Sequence, residues 1–160
     1  MLKHLAVIVA LFVAGVFFCW VGKYAGELGV DRSVEKHLFY QIGGKLADGS
    51  GKYVVPVLFP LDLIVMLLLS GSLAWASASW GPQGLGGSPC YYLILPLAYL
   101  AFDLAEDSLL VLLLQEYVSV SPAIKIVLQG LTAGKMATLV LAGIQTVVAG
   151  GAALCRGLSA

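Results

Sequence analysis

The chain has 160 residues, 60% of them hydrophobic and 11% charged, with nine basic and nine acidic side chains, no formal net charge and a mean hydropathy of +0.96. An ordinary soluble domain is roughly 45–50% apolar and about 25% charged, and so few charges cannot cover the surface of a water-soluble globule. The composition predicts an all-α polytopic membrane protein forming one domain, with the lipid bilayer as its main partner, and the lack of any basic run excludes nucleic acid.

The first apolar stretch, residues 5–22, is uncharged and just long enough to span, since about 20 helical residues cross a hydrocarbon core of roughly 30 Å. Lys3 precedes it, as in a signal peptide, but its exit, Phe18-Cys19-Trp20-Val21-Gly22-Lys23, offers no small-x-small cleavage site. A retained helix is therefore expected. Ala6, Ala10 and Ala14 recur every fourth residue, a small-residue stripe suited to close helix packing.

Residues 23–52 hold half of the charged side chains and predict an aqueous loop. Within it, Asp31 or Ser33 can cap a short helix reaching His37 and Phe39, with Val34, Leu38 and Ile42 on one face and Gly43-Gly44 as its stop. A surface-lying amphipathic helix and an irregular loop both remain open. A second span is expected over 53–76, containing Pro56, Pro60 and Asp62, with Ser70, Ala74 and Ala78 at small-residue spacing. The uncharged, Gly-, Pro- and Ser-rich residues 77–90 predict a turn. Trp75, Trp80, Tyr91 and Tyr92 flank it, as an interfacial aromatic belt does.

The third span is expected over 91–115, entered or kinked at Pro96, and the fourth over 131–154 inside an apolar stretch that begins near Ile124. Together these give a four-transmembrane-helix bundle. Cys19, Cys90 and Cys155 are odd in number and widely spaced, which predicts free thiols and no thiolate metal site. His4 and His37 are the only histidines, so no histidine metal site is expected. No nucleotide-binding, nucleophile-elbow or zinc-protease motif occurs, and no cofactor is implied.

The strongest signal lies in the third span. Asp103, Glu106 and Asp107 sit at its centre, spaced i, i+3 and i+4, and so share one helix face, which Tyr99 and Leu110 continue. On an insertion scale three such acids cost roughly 8–10 kcal/mol, and the Leu, Ile, Phe and Val residues of that span offset only about 4–7 kcal/mol. The acids must therefore be protonated, partnered or facing water, and the face that bears them should point into the bundle. The expected counter-charge is Lys135, on a polar and small stripe with Thr132, Thr138, Ala142 and Gln145. Pairing of the few intramembrane charges is the physical expectation, and Asp62 is the next candidate member. Such residues also serve purely as interhelical contacts, worth about 0.6 kcal/mol each on average.

The stretch Tyr99-Leu-Ala-Phe-Asp-Leu-Ala-Glu-Asp107 resembles a signature of uncharacterised bacterial four-helix inner-membrane proteins, whose third helix carries Asp-Leu-x-Glu-Asn; this chain has Asp107 where Asn is usual. Gly49-Ser-Gly-Lys-Tyr53 with Phe59-Pro-Leu-Asp-Leu63, and Leu131-Thr132-x-x-Lys135, are similar to that family's entries into helices two and four. The resemblance implies an inner-membrane protein with cytoplasmic termini and supplies no activity. The count of basic residues implies the reverse orientation, because residues 23–52 carry five against two in the terminal tails. Phe102-Asp-Leu-Ala-Glu-Asp-Ser108 also looks faintly similar to the Asn-x-Ala-Asp-Ser stretch of lipoprotein signal peptidases, but their second aspartate motif has no counterpart around Asp62.

The function expected from the residues is a membrane protein whose buried acidic–basic cluster is structural or binds a proton, cation or small polar ligand. An intramembrane aspartyl hydrolase using Asp62 and Asp103 is one alternative. An accessory subunit of a larger complex, or a homo-oligomer, is another.

Overall fold

The computed structural model describes residues 2–27, 53–115, 117–119 and 121–158. The expected surface helix between Asp31 and Phe39 lies outside the described residues. Four helices account for most of the rest: α1 (Leu2–Glu27), α2 (Leu63–Gly84), α3 (Pro89–Leu114) and α4 (Pro122–Leu158). A wound segment, Tyr53–Asp62, leads into α2.

That segment is shaped by its two prolines. A proline ring forces the residue before it into extended backbone, and Val55 (φ −131°, ψ 119°) and Phe59 (φ −133°, ψ 120°) are both there. The peptides that follow them, Val55-Pro56 and Phe59-Pro60, are cis. Regular α-helix begins only after Asp62, although the apolar stretch starts at Val54.

Helix α2 does not stop at residue 76; it continues to Gly84, through what composition marks as a turn. Tertiary packing overrides the Gly/Pro-rich local preference there, because Ser77 and Gly81 are buried. The turn proper is brief: Gly86 and Gly87 take positive φ (82° and 86°), which glycine adopts without steric cost. Ser88 then caps α3 in extended conformation, its hydroxyl accepting from the Cys90 N–H at 3.4 Å, with Pro89 at the first helical position.

Helices α2, α3 and α4 pack against one another, and α1 packs on α2 and the proline segment. Helix α1 buries Val7, Ala14 and Val21, one residue in seven. Of the expected Ala6–Ala10–Ala14 stripe only Ala14 is buried, so the contact line returns every seven residues and not every four. Close approach of α3 and α4 depends on Gly134: a Cβ built there would stand 2.7 Å from the Phe102 ring. Lower in the bundle Val57, Leu58, Leu110, Leu113, Leu114 and Leu128 form a continuous apolar core. It secures the first turns of α4, whose 37 residues extend about 55 Å at 1.5 Å per residue, well beyond one bilayer core.

The outer surface is apolar on every helix; Phe12, Leu97, Ile126 and Val147 are more than half exposed. Three segments, Leu5–Tyr24, Val54–Gly84 and Pro122–Gly157, are long and apolar enough to cross a membrane. The chain is a helical membrane protein. Helix α3 is also of spanning length, 26 residues, and is built inside out. Ile94, Leu97, Leu104 and Leu112 face outward, while Tyr99, Asp103, Glu106 and Asp107 are buried.

Candidate functional site

Asp103, Glu106 and Asp107 lie on the inner face of α3 with only 2, 2 and 8% of their surface exposed. Helix α4 brings Lys135 to them. Its Nζ stands 2.5 Å from Asp103 Oδ1 and 2.9 Å from Glu106 Oε2. The bond to Glu106 is a well-directed hydrogen bond. The contact with Asp103 is an ion pair in distance, but Asp103 Oδ1 lies off any hydrogen-bond direction. The Thr132 hydroxyl, one helical turn before Lys135, donates to Glu106 Oε1. Glu106 is thus held through both oxygens, and Tyr99 adjoins Asp103 from the preceding turn of α3.

Asp62 joins from the other side. It occupies the N-cap position of α2, yet its backbone is already helical (φ −69°, ψ −37°) and its side chain makes no capping bond. Its carboxylate instead meets those of Asp103 and Asp107, and one oxygen from each of the three lies within 4.8 Å of the others. The break imposed by Pro56 and Pro60 places the α2 N-terminus beside these acids, where the positive end of the helix dipole favours negative charge. Asp107 Oδ2 is buried with no hydrogen-bond partner among the described residues.

A cleft of about 320 Å³ opens onto this cluster. Its polar floor is Asp62, Asp103, Glu106, Thr132 and Lys135, and all four helices contribute to its lining. Phe18 and Val21 of α1, Leu69 of α2, and Met136 and Leu139 of α4 form apolar walls. Asp107 does not line the cleft and stands behind Asp62 and Asp103.

All five residues singled out by the sequence, Asp62, Asp103, Glu106, Asp107 and Lys135, therefore meet in one place. Other members of the polar stripe do different work. Thr138 donates to carbonyl oxygens of its own helix, Gly134 at 2.7 Å and Lys135 at 3.0 Å. Gln145 donates from Nε2 to the Tyr92 carbonyl at 2.9 Å, tying α4 to α3. The buried Ser77–Thr146 pair, 2.9 Å apart, ties α4 to α2. Thr146 also donates to the Ala142 carbonyl at 2.8 Å. Sequence pattern gave no sign of this pair, since Ser77 sits in a stretch composed like a turn. Nor did it indicate that α1 walls a cleft, though Gly15, which lines it, has open space where a side chain would stand.

The three cysteines form no disulfide. Compared with known proteins, the chain matches no family model, no curated protein and no solved structure.

Proposed function

We propose that the chain is a four-helix inner-membrane protein of a bacterium, with α3 as the fourth crossing, and that its acidic centre binds a proton or a cation delivered through the cleft. The observation that carries this is a charge imbalance: the three buried carboxylates of α3, Asp103, Glu106 and Asp107, share the single ammonium of Lys135 among the described residues, and Asp107 Oδ2 has no hydrogen-bond partner among them. Uncompensated charge of that size is not tolerated at bilayer depth. Interhelical contact alone explains Glu106, which is held through both oxygens, but not Asp107. The interrupted entry to α2 supports the same reading. Non-helical backbone at membrane depth is tolerated where it is buried or lines a cavity, and broken helices often border the ion sites of transporters; Val57, within the break, both is buried and lines the cleft.

A hydrolase in which Asp62 and Asp103 share one proton fits less well, because Asp103 is already engaged in an ion pair with Lys135 at 2.5 Å.

A membrane-permeant carbodiimide tests the proposal, since it modifies protonated carboxyls in apolar surroundings. The adduct should map to Asp62 or Asp103, the aspartates lining the cleft, and form more slowly when cations are added or pH is raised. Absence of an adduct on the cluster at every pH, or a rate indifferent to both, would overturn it.

A further inference from the structure

We infer that Asp62, Asp103 and Asp107 together form a site for one hard divalent cation, Ca2+ in preference to Mg2+, entered from the cleft. The inference rests on the proposed proton or cation binding and names the ion. Its donors are all carboxylate oxygens, the set that hard cations take. Oxygens on opposite sides of Ca2+ stand about 4.6–5.2 Å apart and neighbouring ones closer. The three donor oxygens lie within 4.8 Å of one another, inside the span of one such coordination sphere. Mg2+ demands near-ideal octahedral geometry and keeps several of its waters, whereas Ca2+ accepts irregular, carboxylate-rich donor sets.

The independent pointer to a ligand is Asp107. Its Oδ2 is buried, has no partner among the described residues, and belongs to a carboxylate turned toward Asp62 and Asp103. Lys135 does not fill this place, because its ammonium is committed to Asp103 and Glu106. Its contact with Asp103 is through Oδ1. Asp103 and Asp107 are one turn apart on a rigid helix, and Asp62 sits at the start of α2, so the donors come from two packed elements held in register. A bound divalent cation would offset the excess of the three buried α3 carboxylates over Lys135.

The test is Mn2+ binding to the full-length protein in detergent after chelator treatment, followed by loss of the aqueous Mn2+ paramagnetic resonance signal. One Mn2+ per chain should bind saturably, and Ca2+ should displace it more readily than Mg2+. Loss of an outer partner of a metal site costs ten- to a hundredfold in affinity, so Asp62→Asn and Asp107→Asn, each removing a donor, should weaken binding by at least about a hundredfold. Asp62 is partly exposed, and its variant keeps the test decisive if Asp107→Asn fails to fold. No saturable binding, or equal affinity in both folded variants, would overturn the inference. If Mn2+ does not bind but pH or Na+ still slows the carbodiimide adduct, only the divalent assignment falls; if neither effect is seen, the proposed function falls with it.

Discussion

Replacing Lys135 by Met should destabilise the folded protein by about 3–5 kcal/mol, the cost of removing one partner from a buried ion pair. The ammonium is the only cation in contact with Asp103 and Glu106 among the described residues, at 2.5 and 2.9 Å. Without it, two carboxylates buried to within 2% of full enclosure are stranded on α3. Met keeps the length and apolar stem of the side chain, so the loss reports charge and not volume. Adding Glu106→Gln should restore part of the stability, because a glutamine amide still accepts from Thr132 and carries no charge. The two substitutions should therefore be strongly non-additive in a double-mutant cycle, measured by unfolding in detergent or bilayers. Simple additivity would mean that α3 and α4 are held together by something other than this pair.

Replacing Asp107 by Asn should do the opposite. An unsatisfied buried polar group costs about 1–3 kcal/mol, more if charged, and Asp107 Oδ2 is such a group, beside two further carboxylates. Asparagine has the same shape, removes an acid from the cluster, and can donate from its amide toward Asp62 or Asp103. In chelator the variant should be more stable than the natural protein by about 1–3 kcal/mol. A ligand that binds only the folded state stabilises in proportion to its occupancy, so added Ca2+ should narrow or reverse the difference. Stability spent on a binding site in this way is commonly recovered by substitution there. A destabilised Asp107→Asn protein in chelator would show that Asp107 makes a structural contact and would weaken the case for a ligand.

Much of this centre was legible in the sequence because helix periodicity is strict. Spacings of three and four residues place Asp103, Glu106 and Asp107 on one face whatever surrounds them, and in a chain with so few charges Lys135 had few other partners. Periodicity gives faces and not neighbours, and there the sequence ran out. It could not say that Thr132 would reach Glu106 while Thr138, on the same stripe, would bond its own helix. It suggested an Ala6–Ala10–Ala14 contact on α1, where the burial follows Val7, Ala14 and Val21, because a uniformly apolar helix has no amphipathic signal to fix its rotation. It ended α2 near residue 76 because glycine and proline mark turns in isolation, whereas here the contact of Ser77 with Thr146 holds the helix on to Gly84. The cleft was not visible at all, being a gap between four helices and not a property of any one.

The central claim is that the acidic centre carries more carboxylate than Lys135 neutralises and takes up a proton or a cation to make up the difference. Infrared spectroscopy of the protein in lipid tests it most directly, because protonated carboxyls and carboxylates absorb in separate bands. Chelated, low-salt protein at neutral pH should show a protonated-carboxyl band that is lost in the Asp62→Asn, Asp107→Asn double variant and that diminishes when a binding cation is added. A centre with no protonated carboxyl, no bound metal by elemental analysis and no spectral response to cations would contradict the account.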